Sequence, residues 1–212
     1  MHQINKNYIR ILIIFFFLAG VIGYSLPGTY RLFIKLTSIA LLLSFLVLGL
    51  FHKSYNLKSF LIFGGIYLSG LIVEIIGVNT GFLFGNYQYG GSLGPKIFNT
   101  PLIIGLNWLF LSYSAVSITE KIKTRVFIQN LAAATLMVIY DVMLEQMAGR
   151  LDMWYWKNGV IPFQNYITWF LLSFLIVWGI RKTKIDTRNP VAAYLFFSQL
   201  FFLAGLLVFY EP

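Results

Sequence analysis

Seven long apolar runs, separated by short polar segments, dominate this sequence of 212 residues. Each run approaches the length of about 20 residues that an α-helix needs to cross a bilayer. The predicted spans are residues 9–25, 31–51, 58–78, 100–118, 126–148, 164–180 and 190–210. With 58% hydrophobic and 11% charged residues, the composition is not that of a water-soluble domain. We therefore expect an all-α polytopic transmembrane bundle of about seven spans, forming a single integral membrane domain over residues 1–212.

The distribution of the 16 Lys and Arg residues predicts the orientation of this bundle. Eleven lie at the connections on one side: Lys6, Arg10, Lys53, Lys58, Lys121, Lys123, Arg125, Arg181, Lys182, Lys184 and Arg188. The other side carries five: Arg31, Lys35, Lys96, Arg150 and Lys157. Because cytoplasmic loops are enriched in basic residues, we expect a multi-pass protein of the cell inner (plasma) membrane with a cytoplasmic N-terminus and an extracytoplasmic C-terminus. The net charge of +9 thus reflects topology, and no nucleic-acid partner is expected.

The cysteine and histidine content excludes several kinds of chemistry. The chain contains no cysteine, which excludes disulfides, thiolate metal sites and cysteine nucleophiles. It contains two histidines, His2 and His52, too few for a histidine-rich di-iron centre. We therefore expect no metal and no cofactor, and the lipid bilayer is the partner that follows from composition.

Three carboxylates lie within the predicted spans: Glu74, Asp141 and Glu145. A charge inside a bilayer costs roughly 2.5–3.5 kcal/mol, so it rarely persists without a role. Asp141 and Glu145 are four residues apart and share a helix face. All three lie near the span ends that precede the two longest connections, residues 79–99 and 149–163. A proton donor beside an acceptor is the arrangement of general acid–base catalysis, so we predict three catalytic residues. The alternative is that each acid pairs with a basic or amide group and only stabilises the bundle.

Aromatic and amide side chains surround these acids in the sequence. The predicted substrate-binding residues are Phe84, Tyr87, Tyr89, Asn107, Trp108, Trp154, Trp156 and Asn165. The glycines of residues 85–94 predict a folded-back loop that carries the two tyrosines. Two alternatives remain open: the Tyr and Trp side chains form a belt at headgroup depth, and Asn165 caps the sixth helix.

A weak internal repeat is also visible. An acid, an aromatic-x-aromatic pair, Pro, Asn and Trp occur twice in the same order. The first set is Glu74, Tyr87, Tyr89, Pro101, Asn107 and Trp108, and the second is Glu145, Trp154, Trp156, Pro162, Asn165 and Trp169. A true repeat would relate the halves about an axis along the membrane normal, with the site between them.

The same residues resemble a known family. The first pattern is Glu74-x-x-Gly77-x-x-Thr80-Gly81-x-x-Phe84-Gly85-x-Tyr87-x-Tyr89-x-x-x-Leu93-Gly94, followed by Pro101-Leu102 and Asn107-Trp108. The second is Asp141-x-x-x-Glu145, followed by Leu151-Asp152-x-Trp154-x-Trp156, Ile161-Pro162, Asn165-Tyr166 and Trp169. Together they resemble the CruF-type carotenoid biosynthesis protein family over residues 74–113 and 141–170.

This resemblance implies a carotenoid 1,2-hydratase, a hydro-lyase that adds water to the terminal double bond of an acyclic carotenoid end without a cofactor. It implies a carotenoid substrate, with other carotenoid-pathway enzymes as further partners. Asp141 or Glu145 would be the acid, and Glu74 or the remaining partner the base. Two alternatives stay open: a proton-coupled membrane transporter, and another carotenoid-modifying membrane enzyme such as a cyclase.

Overall fold

A computed structural model describes residues 5–209 and contains seven α-helices in that range. They are α1 (Lys6–Ser25), α2 (Tyr30–Leu50), α3 (Leu57–Thr80), α4 (Ile103–Thr119), α5 (Val126–Ala148), α6 (Phe163–Thr183) and α7 (Ala192–Phe209). Six of them are long and apolar enough to cross a membrane. The predicted all-α polytopic bundle is therefore confirmed. His2, and residue 210 at the end of the predicted seventh span, lie outside the described range.

Helix α4 is the short member of the bundle. It begins at Ile103 rather than at the predicted residue 100 and has 17 residues, which makes it about 26 Å long at 1.5 Å per residue. Every residue from 108 to 117 is buried. Because α4 packs against α2, α3, α5, α6 and α7, it is the central helix and is surrounded by protein rather than lipid.

The ends of helix α3 are defined by local chemistry. At its start, the Asn56 side chain accepts from the backbone N–H of Ser59 at 2.9 Å, and the Ser59 hydroxyl accepts in turn from the N–H of Asn56 at 2.9 Å. At its end, Gly81 adopts a left-handed conformation with φ 67°, which glycine reaches without steric cost. The chain therefore leaves α3 in a sharp turn, about two helical turns beyond Glu74.

Two small antiparallel sheets lie at the end of the bundle where α3 and α5 end. Strand β1 (Tyr87–Tyr89) pairs with β4 (Trp154–Trp156), and β2 (Lys96–Ile97) pairs with β3 (Thr100–Pro101). We call residues 81–102 and 149–162, which contain all four strands, the cap. The prediction of helices alone missed the strands, because two or three residues are too short to show a hydrophobic period.

Asp152 joins the two segments of the cap. Its carboxylate accepts from the backbone N–H of Gly91 at 2.9 Å and from the Tyr155 hydroxyl at 2.8 Å. Its carbonyl oxygen accepts from the hydroxyl of Ser92 at 2.9 Å. A Cβ at Gly90 would lie 2.3 Å from that carbonyl oxygen, so glycine is required for the close approach. The cap is thus a single cross-linked layer.

The opposite end of the bundle is closed by polar contacts between connections. The Nδ1 atom of His52 lies 2.9 Å from the Tyr113 hydroxyl, and the Asn189 amide donates to the carbonyl oxygen of Leu48 at 2.8 Å. Burial lowers the pKa of His52, which favours the neutral ring. These contacts hold the α2–α3 connection against α4 and the α6–α7 connection against α2.

Candidate active site

Glu74 lies in the last turns of α3, directly against strand β1. One of its carboxylate oxygens accepts hydrogen bonds from the hydroxyls of Tyr87 and Tyr89, each at 2.7 Å. The other accepts from the indole N–H of Trp108 on α4 at 3.0 Å. Glu74 is buried, and each of its two carboxylate oxygens accepts at least one hydrogen bond.

The two tyrosines keep their protons in this arrangement. Burial, and then the negative charge of Glu74, raise the pKa of Tyr87 and Tyr89 well above the usual value. Both phenols therefore act as hydrogen-bond donors throughout the physiological pH range. Their hydroxyls point inward onto Glu74, whereas a headgroup belt would direct them outward.

Glu145, near the end of α5, is held in the same manner by strand β4. One carboxylate oxygen accepts from the indole N–H groups of Trp154 at 3.0 Å and Trp156 at 2.7 Å. These tryptophans, like the tyrosines, face the interior rather than a membrane interface. The second oxygen lies 3.4 Å from the Asn165 amide nitrogen.

Asp141 lies one turn earlier on α5 and has fewer partners. The amide nitrogen of Asn165 donates to one of its oxygens at 2.9 Å, so this one nitrogen contacts both Asp141 and Glu145. The other oxygen, Oδ1, has no hydrogen-bond partner within residues 5–209, and Asp141 is 0% exposed. Because the Asn165 side chain binds these acids and Pro162 occupies the N-cap position of α6, the capping alternative for Asn165 is wrong.

The hydrogen bonds of the two glutamates join corresponding members of the internal repeat. Each glutamate accepts two hydrogen bonds from an aromatic-x-aromatic strand that follows it, and the two strands pair with each other. The two tryptophans of the repeat, Trp108 and Trp169, stack with ring centroids 4.3 Å apart and an interplanar angle of 19°. The site therefore has an approximate two-fold pattern around this stack, while a true repeat stays a prediction.

Asp141 is the member that breaks this pattern. It precedes Glu145 by four residues, and the corresponding position before Glu74 is Gly70. A Cβ at Gly70 would lie 2.6 Å from the Cβ of Trp108, so the first half of the site has room for the Trp108 side chain and none for a second acid. One half thus has a single carboxyl group and the other half has two.

All the sequence-predicted site residues line one cavity beneath the cap. Its lining consists of Glu74, Phe84, Tyr87, Tyr89, Ile104, Asn107, Trp108, Asp141, Leu144, Glu145, Trp154, Trp156, Asn165 and Trp169. The space open to the centre of a water molecule is about 20 Å³, and about 10–15 Å³ suffices for one water. The residues are thus brought together, and their catalytic and binding roles stay predictions.

Three lining residues were not among the predicted ones: Ile104, Leu144 and Trp169. Trp169 was the last member of the internal repeat, which was the signal that could have identified it. Ile104 and Leu144 lie three residues from Asn107 and Asp141, on the same helix faces. Within residues 5–209, no group of three or more His, Asp or Glu side chains is arranged to hold a metal ion.

The fold and the site define a multi-pass membrane protein with buried carboxyl groups in an aromatic cavity. The family model described as "Carotenoid biosynthesis protein" matches residues 30–211, and the chain belongs to this family. The sequence is also 29% identical over 115 residues to the bisanhydrobacterioruberin hydratase of Haloarcula japonica. That alignment covers 47% of this chain and 36% of the relative, so the chain matches little more than a third of its length. No solved structure gives a significant match.

Proposed function

We propose that this protein is a carotenoid hydratase, which adds water across the terminal double bond of an acyclic carotenoid end. The family supports a carotenoid substrate, and the similarity to a hydratase supports water addition. The observation that carries the proposal is the unpaired, buried Oδ1 of Asp141, which lines a water-sized cavity beside two carboxylates that each accept from three N–H or O–H donors.

Asp141 is the proton donor in this proposal. Glu74 and Glu145 each face three donor hydrogens, which stabilise a carboxylate better than a single donor does. Asp141 accepts from the Asn165 amide alone, and an isolated buried charge is strongly disfavoured. A protonated Asp141 beside a charged Glu145 divides the acid and base roles between two environments.

The reaction then balances without a cofactor. The π electrons of the alkene form a C–H bond with the Asp141 proton at the less substituted carbon, which leaves positive charge on the tertiary carbon. A water oxygen forms the C–O bond to that carbon, and its proton passes to Glu145. Transfer of this proton from Glu145 to Asp141 restores the starting state, and the product is a tertiary alcohol.

Aromatic faces stabilise the cation between these steps. Trp108 and Trp169 are stacked in the cavity wall, and the ring of Tyr87 lies 5.1 Å from that of Trp156. A desolvated cation over such a face gains about 2 kcal/mol. The water-sized space also limits the number of water molecules that compete with the alkene for the Asp141 proton.

The transporter alternative is less well supported. A transporter needs a route from the site to the other side, whereas α4 is buried throughout residues 108–117 and the far end is closed around His52 and Tyr113. The cyclase alternative uses similar proton chemistry, and the product mass distinguishes it from hydration.

We also propose that the protein lies in the plasma membrane with a cytoplasmic N-terminus. This orientation is supported by the excess of basic residues on one side, and it places the cap and the carboxyl cavity on the extracytoplasmic side. A reporter fused to the C-terminus is expected to lie outside the cytoplasm. A cytoplasmic reporter would contradict the orientation without affecting the chemistry.

The function is tested by expressing the protein in a bacterium that makes lycopene. We expect pigments that are one or two water masses heavier, with a hydroxyl at the tertiary carbon of the end group, by chromatography and mass spectrometry. The same host without the gene is the control. Unchanged pigments, with the protein verified in the membrane, would contradict the proposal, and a new ring without a mass change would indicate a cyclase.

A further inference from the structure

A second cavity, which we call the apolar chamber, lies between α1, α2, α5 and α7 beside the carboxyl cavity. Its walls include Phe17, Leu36, Ala40, Leu144, Phe202 and Leu203. The space open to the centre of a water molecule is about 130 Å³, compared with about 20 Å³ in the carboxyl cavity. From the observations below, we infer that the apolar chamber binds the polyene chain of the substrate while the end group reaches the acids. This inference rests on the proposed function.

The chamber and the carboxyl cavity are adjacent. Ile104, Asn107, Leu144 and Trp154 line both of them. The carboxyl cavity has room for a water molecule and cannot hold the remainder of a long hydrocarbon. A ligand whose end lies at Asp141 must therefore extend into a neighbouring apolar space, and the chamber is adjacent through these four side chains.

The polar groups in the chamber wall are mostly paired with one another or with backbone. The Tyr24 hydroxyl lies 2.5 Å from that of Thr37, and the Tyr140 hydroxyl donates to the Gln199 side-chain oxygen at 2.8 Å. The Ser44 hydroxyl donates to a backbone carbonyl of its own helix. The wall therefore offers hydrocarbon surface to a ligand, which suits a polyene.

Among the residues that the structure describes, the amide nitrogen of Gln199 in this wall is buried without a hydrogen-bond partner. Gln199 and Asn107 both also line a third space of about 10 Å³, next to the chamber. Gln199 and Asn107 thus form a polar part of the chamber wall, and Asn107 also lines the carboxyl cavity, where the proposed reaction uses water. Most of the remaining wall is apolar.

The chamber also opens toward the membrane. Phe16 on α1 and Leu36 on α2 line it and are 42% and 37% exposed on the outer face of the bundle. The lining extends from Phe33 to Ser44 along α2, roughly 16 Å at 1.5 Å per residue. One end of a polyene thus fits inside, and the rest of the chain leaves between α1 and α2 into lipid.

Two other grooves on the bundle are less suitable. The groove between α3 and α6 shares only Trp108 with the lining of the carboxyl cavity, and Trp108 is stacked on Trp169 at that point. The groove between α1 and α7 shares Phe17 and Phe202 with the chamber but no lining residue with the carboxyl cavity. The three spaces can therefore be distinguished by filling each one in turn.

The test fills the chamber with Ala40→Phe. Two matched variants fill the other grooves: Gly65→Phe between α3 and α6, where an added Cβ meets no atom within 4 Å, and Ala193→Phe between α1 and α7. With lycopene as the substrate in membranes, we expect Ala40→Phe to hydrate at least about tenfold more slowly, and both matched variants to remain within about twofold of the unmodified protein. Equal activity of all three variants, or a loss confined to Gly65→Phe, would overturn the inference.

A labelling experiment covers the case in which Ala40→Phe does not fold. The chain has no cysteine, so Ala40→Cys and Ala193→Cys each introduce a single thiol for a membrane-permeant maleimide. We expect lycopene to slow labelling several-fold for Ala40→Cys and not for Ala193→Cys. Equal labelling with and without lycopene, in a protein that hydrates lycopene, would overturn the inference. Protection of the Ala40→Cys thiol without hydration would support the chamber and contradict the proposed hydratase instead.

Discussion

Asp141→Asn is expected to lower the rate of carotenoid hydration by about 10²–10⁴-fold, the usual contribution of a general acid. The change keeps the shape of the side chain and an oxygen that accepts from Asn165, which now lies 2.9 Å from the carboxyl group. It removes the proton that the alkene must receive. The measurement is the rate at which hydroxylated pigment forms in membranes that contain equal amounts of each protein.

Asp186→Asn is the matched control for this substitution. Asp186 belongs to the α6–α7 connection and is bound by Lys53 at 3.3 Å and Arg188 at 2.8 Å. Because such surface ion pairs contribute about 0–1 kcal/mol to stability, the control should remain folded and active. Full activity of Asp141→Asn, with the same melting temperature as the unmodified protein, would remove Asp141 from the chemistry.

The positions of the helices could be predicted from the sequence because a bilayer permits few alternatives. A spanning segment must satisfy its own backbone hydrogen bonds, so a long apolar run has to be a helix. The same argument fails at residues 100–101, which hydropathy joined to the fourth span. They instead pair with Lys96 and Ile97 in a hairpin, and strand pairing depends on a partner that hydropathy does not identify.

The three acids could be predicted because a carboxylate in an apolar span is costly. The aromatic residues that donate to the two glutamates were predicted from a second pattern. Tyr87 and Tyr89, like Trp154 and Trp156, are separated by one residue, the spacing that puts side chains on the same face of a strand. Such an alternation is also typical of an aromatic belt, so the sequence left both interpretations open. The paired strands β1 and β4 decide between them, since each directs its aromatic pair toward a glutamate.

The apolar chamber could not be predicted at all. Most of its wall comes from α1, α2 and α7, and most of the lining residues there are the apolar side chains common to membrane helices. A cavity depends on how helices with similar surfaces pack together, and an exposed Phe has the same sequence signature as one that lines a chamber. Packing, rather than composition, therefore determines where a polyene fits.

Glu145→Gln is expected to reduce hydration by about 10²–10⁴-fold while leaving protonation of the alkene intact. The glutamine oxygen still accepts from Trp154 and Trp156, which now donate at 3.0 and 2.7 Å, so the cavity keeps its shape. The amide cannot accept the proton of the attacking water. The cation formed by protonation from Asp141 then reacts mainly by losing a proton, which gives back an alkene.

Deuterated water makes this difference measurable. In Glu145→Gln, recovered substrate should gain deuterium at its end group although little alcohol forms, whereas Asp141→Asn should give neither deuterium nor alcohol. Glu120→Gln is the matched control, because Glu120 lies at the opposite end of the bundle, where it accepts from the Thr187 hydroxyl at 3.1 Å. If Glu145→Gln hydrates normally and Glu74→Gln shows the exchange without hydration, the base is Glu74. If Glu145→Gln loses exchange as well, Glu145 acts before the cation forms, and the division of roles between the two α5 acids is wrong.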